Sequence, residues 1–322
     1  MYGGRSLGTG SSVNASRSKS LTLLSQPAVI SNVLNKIPGT DNHLEELSIQ
    51  YVSGQRVFFD PKQFRRILSR ILSFQISFGT PHPTAEFCSA LLSSFRNLQS
   101  LKWVSTSLKF EVVRELRDAV EWQFTLRYLW TQDTLLSTFP SPVLYNLTTL
   151  RVDGTRLKFE AETLVLPNLM ELCLFGAWIY ILQIQAPKLA YLCLRKGAVM
   201  PSNVLIPQLV NTQLRPSRLE VDEIVSGSLT EALITGPFKY ITELHVWIGA
   251  YSARYTYLIP LMRRKPQGGP MFCPRLRHLV VSLYPSGVIK DIPRFRSALV
   301  NVLRRGSEVT EMPTVRCMEH DL

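Results

Sequence analysis

Large apolar residues recur along this chain in a fixed six-residue spacing, filling the first, fourth and sixth positions with variable residues between them. Clear copies are Leu44-Leu47-Ile49, Leu98-Leu101-Trp103, Leu147-Leu150-Val152, Leu169-Leu172-Leu174, Leu189-Leu192-Leu194, Ile241-Leu244-Val246 and Leu276-Leu279-Val281. A weaker copy starts at Leu126 and a degraded one at Leu209. Pro167, Pro187, Pro207 and Pro274 each stand two positions before the opening leucine. From Leu126 to Leu209 the starts lie 21, 22, 20 and 20 residues apart; outside that run the spacings are 54, 28, 32 and 35.

Apolar residues at the fourth and sixth positions, alternating with variable ones, predict a short half-buried strand. One such strand cannot bury its apolar side alone, so copies at a fixed period stack into a parallel sheet. A period near 20 falls at the lower end of the roughly 20–29 residues of leucine-rich repeats. The expected fold is α/β: an irregular leucine-rich-repeat solenoid, or horseshoe, with a curved parallel β-sheet.

Helices are expected in the longer N-terminal intervals. Asp60-Pro61 offers an N-cap and a proline for the first turn, and Phe64, Ile67, Leu68, Ile71 and Leu72 follow at helical spacing. Leu108, Val112, Val113, Leu116 and Val120 form a second stripe. A third helix, from Asp291 and Pro293 through Phe295, Leu299, Val302 and Leu303 to Gly306, is expected to cap the C-terminal end. The return segment Tyr180–Gln185 reads as extended.

Composition narrows the class. The 322 residues carry 36 Lys+Arg against 24 Asp+Glu, a net +12. Residues 1–40 contain no acidic residue and hold Arg5, Arg17, Lys19 and Lys36. They are expected to form a disordered basic Gly/Ser-rich tail, with a mitochondrial presequence as the lesser alternative. The repeat domain is then 41–310, and 311–322 a loose C-terminal tail. The longest apolar run, Leu172 to Leu182, falls far short of the ~20 residues that span a bilayer. Five cysteines without a C-x-x-C fit a reduced cytoplasmic or nuclear protein.

Binding residues of a stacked sheet are expected at the variable positions, which point away from the leucines. These give a candidate partner-binding array on the concave face: Lys102, Tyr128, Trp130, Arg151, Phe175, Tyr191, Arg195, His245 and Trp247. Aromatic and arginine side chains of this kind carry much of the energy at protein interfaces. Cys173 and Cys193 share one repeat position and read as a ladder of two free thiols on neighbouring strands; a metal or redox pair is the minor reading. His245 and His278, each at a variable position, read as surface imidazoles, and Asp153 reads as a salt-bridge partner of Arg151. The spacings contain no recognisable metal-ligand set, nucleophile with its base, or cofactor motif, so neither an enzyme nor a cofactor is expected.

The phrases LPNLMELCLFG, APKLAYLCLRKG and CPRLRHLVVSL, with irregular repeat lengths and helices like FDPKQFRRILSRI between them, resemble the leucine-rich-repeat region of fungal F-box-like proteins. The resemblance covers about residues 41–306. It implies a substrate-receptor role, in which an F-box docks on the Skp adaptor of a cullin-type ubiquitin ligase and the repeats select the substrate. No F-box-like segment is recognisable before Leu44.

A non-enzymatic protein–protein recognition module is the expected function, with an acidic partner as the best match to the cations of the repeat face. The alternative is a nucleic-acid or anionic-surface binder driven by net charge. Against it, the basic runs Arg65-Arg66, Arg263-Arg264-Lys265 and Arg304-Arg305 fall in helices and loops, with no nucleic-acid-binding motif beside them.

Overall fold

Leucine alternation places one side of each repeat segment in the core and leaves the other for side-chain contacts between strands. The computed structural model describes residues 19–37, 43–51, 59–78, 83–104, 124–132, 141–154, 164–176, 184–195, 214–222, 240–248, 275–283 and 314–319. The chain divides into two compact units, Met1–Glu162 and Thr163–Leu322.

In the first unit β1 (Ser20–Ser25), β2 (Glu46–Tyr51), β3 (Ser73–Ser77), β4 (Ser100–Val104), β5 (Tyr128–Gln132) and β6 (Thr149–Asp153) lie side by side in chain order. Every pair is parallel, and the register aligns Leu21, Leu47, Phe74, Leu101, Leu129 and Leu150 in one row. Leu23, Ile49, Ile76, Trp103, Thr131 and Val152 form the next row on the same face. All twelve of these residues are buried.

The described helices of this unit supply apolar side chains to the leucine face. Pro27 opens α1 (Pro27–Asn35), whose Ile30 and Leu34 are buried. Asp60 caps a 3-10 turn, Pro61–Phe64, by accepting from the Lys62 backbone N–H, and α2 (Arg65–Leu68) follows directly. Thr84 caps α3 (Ala85–Leu92) in the same way, accepting from Phe87 N. Phe87 meets Phe59 and Phe78 edge-on, and Phe78 lies 5.2 Å from Trp103 of β4. A fourth short helix, α4 (Ser141–Asn146), precedes β6.

The second unit holds β7 (Leu164–Val165), β8 (Glu171–Phe175), β9 (Ile184–Gln185), β10 (Tyr191–Arg195), β11 (Arg218–Asp222), β12 (Glu243–Ile248), β13 (His278–Leu283) and β14 (Thr314–Glu319). β8 and β10 to β14 pair in parallel in that order, aligning Leu172, Leu192, Leu219, Leu244, Leu279 and Val315. β7 and β9 form a separate parallel pair.

The recurring proline has a local cause. Leu169 N donates to Leu166 O and Leu189 N to Ala186 O, so Pro167 and Pro187 each sit second in a four-residue turn. Proline's fixed φ suits that position. The turn reverses the chain from β7 or β9 into the following β8 or β10. Gly176 ends β8 at φ 77°, a left-handed value natural to glycine, and its N–H donates to Arg195 O.

A shared backbone device fixes the register between repeats. The residue before a strand and that strand's first residue both donate to one carbonyl of the preceding repeat. Glu45 and Glu46 bond Lys19 O, Leu72 and Ser73 bond Glu45 O, and Gln99 and Ser100 bond Leu72 O. The second unit repeats it, with Ala190 and Tyr191 on Met170 O, and Ser217 and Arg218 on Ala190 O.

The result is a parallel α/β arrangement with few helices, compatible with a solenoid-like coil, and it corrects several expectations. Residues 20–35, expected to be disordered, form β1 and α1, because Leu21 and Leu23 alternate like the later repeats and pair with β2. Residues 314–319, expected to be loose, form β14. The 54-residue interval is two repeats, divided by β3, where Phe74 and Ile76 stand in for leucines. The copy expected at Leu209 lies outside the described residues; the strand after β10 is β11, carried by Leu219 and Val221. The helix expected from Pro61 is shorter than its apolar stripe, since Ile71 and Leu72 leave it for β3. The expected helices at 108–120 and 291–306, and residues 180–183 of the return segment, lie outside the described residues; Ile184–Gln185 is extended as expected.

Candidate functional site

The variable positions do face away from the leucines. On β4 to β6, Lys102, Val104, Tyr128, Trp130, Gln132, Arg151 and Asp153 are all half-buried on the face opposite the buried rows. On β8 and β10 the same face carries Cys173, Phe175, Tyr191, Cys193 and Arg195. Each unit gathers these residues into one cluster.

In the first unit the cluster is a cation–aromatic–cation stack. Lys102, Trp130 and Arg151 occupy one register row across β4, β5 and β6. Lys102 Nζ lies 3.6 Å from the Trp130 ring centroid and Arg151 Cζ 3.8 Å, each coming from a flanking strand. Asp153 orients the stack: it accepts from Trp130 Nε1 at 2.9 Å and pairs with Arg151 Nε at 3.2 Å. Burial first, and then the nearby Arg151, lower the Lys102 pKa, with Asp153 partly opposing the shift. Two cations thus crowd one indole beside a single carboxylate. Tyr128 shares this face two residues before Trp130 and is half-buried.

In the second unit the cluster is a hub around one carboxylate. Glu220 of β11 accepts from Tyr191 Oη at 2.7 Å and from Trp247 Nε1 at 2.8 Å. Arg195 NH1 lies 3.5 Å from Oε1 and His245 Nδ1 3.3 Å from Oε2. The imidazole continues outward, its Nε2 lying 2.7 Å from Ser282 Oγ on β13. His245 and Trp247 stack at 5.1 Å, and Arg195 covers Trp247 at 4.0 Å and Phe175 at 5.7 Å. Burial alone would raise the Glu220 pKa, but the hydrogen bonds from His245, Tyr191 and Trp247 outweigh it and hold the carboxyl at about 2. Burial, with the neighbouring Cys193 and Glu220, pushes the Tyr191 phenol well above its ordinary range.

The hub changes the reading of two candidates. His245 is not a surface imidazole: it is 5% exposed, and Trp247 is 9% exposed. Both are tied to Glu220, a residue absent from the expected array because β11 was missed. The signal was present in Arg218–Asp222, where Leu219 and Val221 alternate with charged residues, but Pro216 fills the position that leucine opens elsewhere. His278 is exposed as expected, and Asp153 does pair with Arg151. Cys173 and Cys193 are register partners on neighbouring strands, and both are free thiols.

Among the described residues no group of three or more His, Cys, Asp or Glu side chains is placed to hold a metal ion. No described helix is long and apolar enough to cross a membrane. No known protein family matches the chain, and no curated protein does.

Proposed function

We propose that this chain is a non-enzymatic protein-recognition module: a leucine-rich-repeat horseshoe that binds an acidic protein segment on the face opposite its leucines. The observation that carries the reading is the Lys102–Trp130–Arg151 stack. Two half-buried cations held against one indole present paired positive charge that attracts a carboxylate. Asp153 neutralises part of that charge and fixes the indole's orientation, which favours an ordered partner contact over diffuse counter-ion binding. The sequence resemblance to F-box-like repeats agrees with a substrate-receptor role and makes a Skp-type adaptor a partner to test.

The Glu220–His245–Ser282 chain has the carboxylate–imidazole–hydroxyl order of hydrolytic triads. Ser282 is 0% exposed, so no substrate carbonyl reaches its Oγ as packed, and the chain is read as a structural bolt between β11, β12 and β13.

The test is capture from lysate, with and without nuclease treatment, by the full chain and by its Trp130→Ala and Arg151→Ala variants. Proteins held by the parent and lost by both variants support the reading, and a Skp-type adaptor among the captured proteins would support the ligase role. An unchanged protein set overturns the assigned face. Retention that nuclease abolishes overturns protein recognition in favour of nucleic acid.

A further inference from the structure

Cys173 on β8 and Cys193 on β10 are direct register partners in a parallel pair, both at the middle variable position and both on the same face. Neighbouring strands lie about 4.8 Å apart. A disulfide accepts Cα separations of roughly 4.4–6.8 Å, so the backbone already meets that requirement.

We propose that Cys173 and Cys193 form an oxidisable dithiol, a peroxide-sensitive site that closes into a cross-strand disulfide on the face opposite the leucines of the second unit. Cys173 is half-buried whereas Cys193 is 1% exposed, so Cys173 meets the oxidant first. Its sulfur attacks a peroxide oxygen: an S–O bond forms, the O–O bond breaks, and a sulfenic acid and one water result. Cys193 sulfur then attacks that sulfenic sulfur, forming the S–S bond while the S–O bond breaks. The leaving hydroxide takes up the Cys193 proton as a second water. Two thiols and one hydrogen peroxide thus give one disulfide and two waters.

The order of roles has independent support. Hydrogen bonding to Cys173 first, and then burial, keep the Cys193 thiol protonated far above its ordinary range. Cys193 therefore does not compete with Cys173 for the peroxide, and its attack on the sulfenic sulfur rests on the register that sets the two side by side. Tyr191 and Arg195 flank Cys193 on β10, so the bond would lock the strand that carries two arms of the Glu220 hub.

The test oxidises the full native chain with hydrogen peroxide, alkylates it in denaturant and maps it by non-reducing tryptic digestion. Cys173 and Cys193 fall in separate peptides, 159–188 and 189–195. The expected product is these two peptides joined, with a two-hydrogen mass loss that a thiol reductant reverses. In Cys193→Ser the joined species disappears and Cys173 advances to sulfinic acid. Three results overturn the proposal: both peptides alkylated, Cys173 oxidised while Cys193 is alkylated, or either cysteine joined to a different one.

Discussion

Tyr191 donates its phenol O–H to Glu220 Oε2 at 2.7 Å, reaching diagonally from β10 to β11. Trp247 reaches the same carboxylate from β12, so one side chain ties three strands together. A buried carboxylate is costly unless its oxygens are satisfied, and here both oxygens accept. Glu220→Gln should therefore destabilise the chain by about 2–4 kcal/mol at neutral pH, measured by urea unfolding, because an amide nitrogen would face donors. A loss below about 0.5 kcal/mol would show that the hub is incidental.

The same carboxylate makes stability depend on acid. Its folded pKa of about 2 lies below the ordinary 4.5, so its contribution is complete above pH 4.5 and fades as pH falls toward 2. The span corresponds to roughly 3 kcal/mol at about 1.4 kcal/mol per unit. Between pH 5 and pH 2 the parent should lose stability more steeply than Glu220→Gln by about that amount. Parallel pH profiles would contradict the assignment.

Arg151 and Arg195 looked equivalent as variable-position cations, and the structure separates them. The Arg151 side chain is 31% exposed and pairs with Asp153; that of Arg195 is 18% exposed and reaches the buried Glu220. Arg151→Ala should weaken partner capture about tenfold and change stability by less than about 1 kcal/mol. Arg195→Ala should cost about 2 kcal/mol of stability whatever happens to binding. Measuring Tm and capture for both variants checks this; equal Tm losses would remove the distinction.

Leu23 tests the N-terminal correction. It is 6% exposed in β1 and opposite Ile49, so Leu23→Ala should cost about 2–4 kcal/mol. A disordered tail would give no loss at all.

The sequence pattern made most strands legible because it registers burial, and a leucine fills the opening position before most of them. It failed where other residues open or carry the repeat, Ile71, Phe74 and Ile76 at β3 and Pro216 before β11, and at β14, where Thr314–Glu319 contains no leucine. It assigned the faces correctly, since inward and outward positions follow from alternation alone. It did not reveal which outward residues would be exposed. His245 and Trp247 are buried because Glu220 draws them in, and that carboxylate lay on an unrecognised strand. Cross-strand side-chain bonding depends on register between repeats, and a period that varies from strand to strand does not supply it.

Thr131 is the one polar side chain in the second leucine-face row of the first unit, between Trp103 and Val152. It is 0% exposed, and its Oγ1 has no hydrogen-bond partner. A buried hydroxyl in that state gives up its water without replacement, which costs about 1–3 kcal/mol. Valine has nearly the same shape and an equal or better strand preference, so Thr131→Val substitutes a methyl without altering the packing volume. The variant should gain about 1 kcal/mol in urea unfolding with an unchanged slope. A loss instead would mean that the hydroxyl is satisfied in solution, and that the apolar row accommodates a polar partner at this position.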